Sequence, residues 1–340
     1  MTHTALRPVT FVQRKSIRCE SGLRGFMKTV CVSGGIGYVG RELVRQLASA
    51  GDCCIHVIDN LDSGEHRLAA MDKTTFSLHK VDIRDRTAVA STLAEIKPDV
   101  IFHLAAIHYI PLCEKNPGNA VNVNVAGTVN MLESAPLGAR FVFASTAAIY
   151  AVDDQALTEG KSIEQPIDIY GWTKYQGENY VRYYTAAGKV RGVIVRLFNV
   201  VGPGETNPHL APDIIKQLSD GITSVKLGNL FPKRDYIDVA DAAKGFHVLS
   251  KVEQVGQNAV CCNLGTGRSH EVGDVVKFIA NAAGVELTVL QDATRVRAVD
   301  RPVLNASTSK LRELTGWVPK TLLKESMASA WASRLADRLS

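Results

Sequence analysis

The sequence predicts an α/β protein built on a doubly wound parallel sheet, and three observations carry that expectation. Short apolar runs alternate with helix-length segments over residues 29–198, the pattern of strands joined by crossover helices. The first run opens directly into a turn with Gly34, Gly37 and Gly40 before a helical stretch. A late apolar run at 259–264 reads as a last strand of the same sheet.

In order, residues 29–33 read as the first strand and 41–50 as its helix. Residues 54–59 form the second strand, 75–81 the third, and 100–105 a wholly apolar fourth. A long helix over 120–134 precedes a strand at 140–145, and a helix over 170–187 precedes one at 192–198. Beyond Asn199 the alternation loosens, with Pro203, Gly204, Pro208 and Pro212 marking irregular chain. The turn Gly265-Thr266-Gly267 and a helix follow the last strand. The expected division is a nucleotide-binding domain over 27–198, rejoined by 259–267, and a smaller discontinuous region from 199–258 and 268–330 that holds substrate. Residues 1–26 read as a tail or an upstream start, because Met27 directly precedes the first strand.

Ser33 to Gly40 reads Ser-Gly-Gly-Ile-Gly-Tyr-Val-Gly. In a strand–turn–helix setting, Gly34 permits the tight turn, Gly37 lets backbone approach a pyrophosphate, and Gly40 lets the helix pack closely. The helix N-terminus adds N–H donors for the phosphates, so the fold is expected to be of the Rossmann type. Asp59 ends the second strand, where an acid bonds ribose hydroxyls and repels the extra phosphate of NADP; no arginine follows in Asn60-Leu61-Asp62. NAD is the expected cofactor.

Tyr170 and Lys174 stand four residues apart and share one helix face. A free tyrosine ionises near pH 10. A neighbouring ammonium is expected to favour its phenolate and make proton exchange with a substrate hydroxyl feasible. A Y-x-x-x-K spacing by itself is weak; its place behind a dinucleotide fingerprint gives it force.

Other function classes are disfavoured. No apolar run reaches the roughly 18–20 residues of a membrane span. Of the net charge of +5, residues 1–26 supply five basic groups against one acid, so the body has no basic stripe for nucleic acid. The same stretch lacks the apolar core of a secretory signal. The seven cysteines include no C-x-x-C pair and suggest no ordinary disulfide framework, which points to a reducing, cytoplasmic setting. His103, His108 and His209 are scattered without a ligand spacing, so no metal site is expected.

Several motifs fall in order from about residue 29 to 317. Besides the glycines and Asp59-Asn60, they are Val81-Asp82-Ile83, His103-Leu104-Ala105-Ala106, Asn122-Val123-Asn124 with Gly127-Thr128, and Ala144-Ser145-Thr146 before Tyr150. The Tyr170/Lys174 pair, Arg196-Leu197-Phe198-Asn199, Arg234-Asp235-Tyr236-Ile237 and Asp300-Arg301-Pro302 complete the set. On these residues the chain resembles an extended short-chain dehydrogenase/reductase of the nucleotide-sugar epimerase/dehydratase group. The resemblance implies that Gly34, Gly37, Tyr38, Val39, Gly40, Asp59 and Asn60 would bind NAD. Asp82, Ile83, Leu104, Ala105, Ala106, Asn124 and Phe198 would join them, with Asp82 and Ile83 at the adenine. Tyr170 would be the acid/base, Lys174 would hold the nicotinamide ribose and tune it, and Thr146 would bond the reacting sugar oxygen. Asn199, His209 and Asp300 would bind the nucleotide-sugar, and Arg234 with Arg297 its diphosphate.

Three departures shape the expected reaction. Ala147-Ala148 follows Thr146 where dehydratases carry Asp-Glu, so no acid is placed to expel a hydroxyl as water. Ala151 replaces a glycine after Tyr150, with no evident effect. Leu304 stands where some 4-epimerases have a bulky tyrosine, which would admit a larger hexose. The loop His108-Tyr109-Ile110-Pro111 also differs from the usual pattern, and a protonated His108 would attract a uronate. The expectation is a UDP-hexose 4-epimerase acting as a homodimer through helices 120–134 and 170–187. The alternatives are a dehydratase, decarboxylase or 4-ketoreductase of the same group, or a non-catalytic NAD-binding protein.

Overall fold

The computed structural model describes residues 27–62, 65–205, 207–253, 256–296 and 301–339. The reading of residues 1–26 therefore falls outside the described residues. Seven strands form the central sheet: β1 (Lys28–Ser33), β2 (Cys53–Asp59), β3 (Ser77–Lys80), β4 (Val100–His103), β5 (Ala139–Thr146), β6 (Val190–Leu197) and β10 (Val260–Leu264). Their order is β10-β6-β5-β4-β1-β2-β3, and every pairing is parallel. The strands read as continuous apolar runs because helices cover both faces. One face buries Leu43, Val44 and Leu47 of α1 (Tyr38–Ala50) with Ala242, Phe246 and Leu249 of α9 (Val239–Ser250). The other buries Val89, Leu93 and Ile96 of α3 (Arg86–Ile96), Met131 and Leu132 of α6 (Gly127–Ser134), and Val181 of α7 (Ile169–Ala186).

Strand order reverses between β1 and β4, so the crevice at their carboxyl ends is the place where a ligand fits an open α/β sheet. That crevice is bounded by α2 (Glu65–Ala69), α4 (Ile110–Lys115) and a second assembly. There β7 (Asn199–Val201), β11 (Ser269–Glu271) and β13 (Val303–Leu304) all pair with β9 (Lys233–Asp238). Separately, β8 (Ser224–Leu227) pairs with β12 (Thr288–Gln291). A third apolar core joins α8 (Leu210–Ser219), α10 (Val272–Ala283) and α12 (Leu323–Leu339) through Ile214, Val275, Ile279 and Met327. A last short helix, α11 (Ser309–Thr315), sends Leu311 into the first core.

The fold departs locally from the pattern reading. Helix α1 begins at Tyr38, three residues before the expected 41, with Gly37 as an extended N-cap. The expected helix over 120–134 is composite: α5 (Pro117–Val121), a π-helical turn (Asn122–Ala126), then α6. It starts early because the Asn116 side chain accepts the Asn119 N–H, with Pro117 at the first position. Helix α3 follows Asp85, which caps the Ala88 N–H; the pattern reading placed no element there. No helix among the described residues is long and apolar enough to cross a membrane.

Candidate functional site

A continuous cleft of about 1160 Å³ runs from the glycine turn to β13. Gly34, Gly37, Tyr38, Val39 and Gly40 line one end. Gly34 sits at φ +73°, and a Cβ there would lie 2.6 Å from the Ala105 nitrogen, so the turn passes directly against the end of β4. A Cβ on Gly40 would lie 2.1 Å from the Gly34 carbonyl oxygen, which is what brings α1 down onto the turn. No side chain caps the N-terminus of α1. Its leading N–H groups are thus suited to receive an anion.

Asp59 ends β2, buried, accepting N–H bonds from Ile36 (3.0 Å) and Leu61 (2.8 Å). Burial raises its carboxyl pKa, with those amides pulling against the rise. Arg67 of α2 also reaches the cleft wall, where its charge acts on Asp59. The sequence reading missed it because it stands eight residues past the strand. Asp82 is held by Arg84 (2.6 Å) and Asn60 (3.3 Å), and the Arg84 bonds draw its pKa to about 2. Ile83, Leu104, Ala105, Ala106 and Phe198 line the same cleft. Asn124 does not. Its carboxamide accepts the Ile107 N–H (2.8 Å) and donates to the Ile107 carbonyl (2.9 Å) and to Thr173 (3.0 Å). The π-turn aims it inward, so it anchors the loop that lines the cleft instead of facing a cofactor.

Tyr170 and Lys174 both line the opposite wall. The helix that carries them is started by Asp168, whose side chain accepts the Gly171 N–H at 2.7 Å. A Cβ on Gly171 would meet the Ala148 carbonyl at 2.6 Å, so α7 closes tightly on the turn after β5. Thr146 ends β5; its hydroxyl oxygen accepts the Ala148 N–H at 3.1 Å. That leaves the hydroxyl proton available to a second partner. The ionisation expected for the pair is corrected by the structure. Burial raises the Tyr170 phenol above its ordinary range, and the Thr146 hydroxyl opposes this only in part. Burial lowers Lys174 to about 7, its Nζ lying 4.8 Å from the Phe143 ring centre. The ammonium is not the charge that lowers Tyr170, because desolvation dominates both groups.

Two polar assemblies hold this wall in place. Arg301 donates to Asp168 (3.1 Å) and to the Ala148 carbonyl (2.8 Å), joining the start of α7 to the turn beside Thr146. Arg196, fully buried, bonds Glu178 (2.7 and 2.9 Å) and the Tyr150 hydroxyl (2.9 Å), while Ser145 donates to Glu178 at 2.5 Å. In the Arg196 network each guanidinium nitrogen has a partner, which fixes its geometry. The sequence motifs contained Arg196 and Arg301, but nothing in their spacing named these partners.

On the substrate side, Asn199, His209, Arg234 and Leu304 all line the cleft. Leu304 pairs with Arg234 across β13 and β9. Arg234 donates to the Arg301 carbonyl at 2.7 Å. Arg297 and Asp300 lie outside the described residues. The histidines are not scattered: His103 is buried between Ser33 (2.6 Å) and Thr128 (2.9 Å), but His108 and His209 meet, ring centres 6.1 Å apart. Glu205 joins them. His108 itself is exposed to the cleft, with the packed walls, His209, Lys174 and Arg67 drawing its pKa downward. Cys31, Cys53, Cys113, Cys261 and Cys262 are free thiols.

A parallel sheet with a glycine turn at its switch point, facing a wall that carries Tyr170 and Lys174, is the arrangement of a dinucleotide-binding fold. The sequence pattern of the NAD dependent epimerase/dehydratase family matches residues 30–265, and the chain belongs to that family. It is similar to the UDP-glucose 4-epimerase of Rhizobium leguminosarum bv. trifolii, at 31% identity over 89% of this chain and 96% of that protein. It is also similar to the GDP-6-deoxy-D-mannose reductase of Pseudomonas aeruginosa, at 26% identity over 76% and 88%. Among solved structures, the UDP-glucose 4-epimerase of Thermus thermophilus in complex with NAD superposes with a TM-score of 0.78 at 26% identity, covering 90% and 98%. The cofactor is NAD.

Proposed function

We propose that the protein is a nucleotide-sugar 4-epimerase acting on a UDP-hexose. The observation that carries this is the convergence of Tyr170, Thr146 and Lys174 on one cleft wall, beside Ala147 and Ala148 where a dehydration would need acids. The uncapped α1 terminus, the Gly34–Gly40 cradle and Asp59 fit a dinucleotide. When bound, oxidised NAD supplies a hydride acceptor and a positive charge that favours the Tyr170 phenolate. Tyr170 takes the proton of the C4 hydroxyl while Thr146 bonds the same oxygen. Asn199 and Arg234 hold the nucleotide end, the keto sugar turns about its diphosphate, and Tyr170 returns the proton. The net redox change is zero.

Leu304, small for a pocket boundary, supports a hexose with an N-acetyl substituent. A cytoplasmic homodimer belongs to the same proposal. The free thiols Cys31, Cys53, Cys113, Cys261 and Cys262 support the compartment. The test is incubation with UDP-glucose and UDP-N-acetylglucosamine without added reductant, followed by separation of epimers. Interconversion with no net NADH is the expected result. Loss of water from the sugar, or turnover only with a reductant, would replace the proposal with a dehydratase or a ketoreductase.

A further inference from the structure

We propose that His108, Glu205 and His209 form a site for one divalent transition-metal ion of the zinc class. They come from two distant segments: His108 lies between β4 and α4, while Glu205 and His209 share the loop between β7 and α8. In the fold their ligand atoms all fall within 4.8 Å of one another. Two imidazoles and a carboxylate are a proven ligand set for zinc, with water completing the sphere. A tetrahedral ion with ligands about 2.1 Å away holds them roughly 3.4 Å apart, so the gap closes by side-chain rotation. None of the three is shut into the core, and His209 is the extended N-cap of α8, where such rotation is unhindered by a helical turn.

A second observation concerns orientation. Asn207 places its carboxamide 2.9 Å from Nε2 of His108 and donates its backbone N–H to Glu205 at 3.0 Å. One residue thus bridges two of the three ligands, and its amide donor must swing away from the His108 lone pair before that nitrogen can hold an ion. Arg67 and Lys174 act on the same imidazole and oppose a cation, and the Glu205 carboxylate offsets them. Glu205 and His209 have further polar partners, which an ion would share or displace. The competing role for the cluster is a hydrogen-bonded wall that only meets substrate.

The test uses the full chain without a polyhistidine tag, stripped with chelator and titrated with Zn²⁺ by equilibrium dialysis. Co²⁺ serves as a visible-spectrum probe of nitrogen and oxygen coordination. One equivalent of Zn²⁺ is expected, lost in His108→Ala and His209→Ala and weakened about tenfold or more in Glu205→Gln. It should persist in His79→Ala, which removes the other close imidazole pair, His56 and His79, 3.0 Å apart on the sheet edge. Circular dichroism of the metal-free variants should match the parent chain. Absence of Zn²⁺ binding by the parent overturns the proposal. So does binding that survives both histidine substitutions, or that His79→Ala alone abolishes. The readout is independent of turnover, so it stands or falls apart from the epimerase reading.

Discussion

Tyr170 and Lys174 show how a cleft can invert the expectation drawn from a pair of side chains. Desolvation raises the phenol and lowers the ammonium to about 7. An unfolded lysine titrates near 10.4, so between about pH 7 and pH 10 the unfolded chain binds one more proton than the native one at this position. Stability therefore rises with pH across that window and is flat on either side of it. Compared with Lys174→Met, the parent should gain up to about 1.4 kcal/mol per pH unit there, as read by urea unfolding at stepped pH. Parallel pH profiles for the two proteins would remove the claim. For Tyr170→Phe, turnover of the epimerised UDP-sugar should fall about 10²–10⁴-fold, the usual scale for a lost acid/base, with nucleotide-sugar affinity retained. Near-parental turnover would show that another group moves the proton.

At the scale of elements, the π-turn between α5 and α6 converts a helix into a support for the cleft. Its inward Asn124 satisfies both backbone groups of Ile107, at the head of the loop that carries His108 and Tyr109. Asn124→Ala leaves those groups unpaired. The expected loss is about 1–3 kcal/mol by denaturant unfolding, the desolvation penalty of a half-satisfied bond. With the loop loosened, KM for the nucleotide-sugar should rise more than kcat falls. Unchanged stability and unchanged KM together would show that the loop is held by other contacts. The same logic explains Arg301, which ties the start of α7 to the turn beside Thr146 and so sets the distance between two elements that the chain does not join locally.

For the whole molecule, the unsettled surface is the outer face of α4, α5 and α7. Of the apolar spacing read from the sequence of 120–134 (Val121, Val125, Thr128, Val129 and Leu132), Val125, Thr128 and Leu132 are buried within the subunit, Val129 is partly buried and Val121 is left outward. Leu112, Trp172 and Tyr183 are also exposed, Tyr183 to 66%. Trp172 and Tyr183 lie about three turns apart on one helical face. Grouped exposed apolar side chains of this kind mark an interaction surface, and this one supports the proposed homodimer. Light scattering at micromolar concentration should give twice the chain mass, and Trp172→Glu with Tyr183→Glu should give a monomer that remains folded. A monomeric parent protein would reject the dimer.

The class of fold was legible in the sequence because a parallel sheet covered on both faces leaves apolar runs of strand length, and because a tight phosphate turn tolerates only glycine at Gly34 and Gly40. The Tyr170/Lys174 face was legible for the same local reason, helical periodicity. Helix α3 was not, although Val89, Leu93 and Ile96 fall on one side, since short alanine- and threonine-rich segments give little contrast. Long-range facts belonged to the tertiary structure alone. It decided that Asn124 serves a loop and that Arg67 shares the cleft with Asp59. It decided that desolvation outweighs the lysine at Tyr170, and that His108, Glu205 and His209 converge. Periodicity reports only which face of an element is buried. What that face meets, and how far from water it stands, depends on residues distant in the chain.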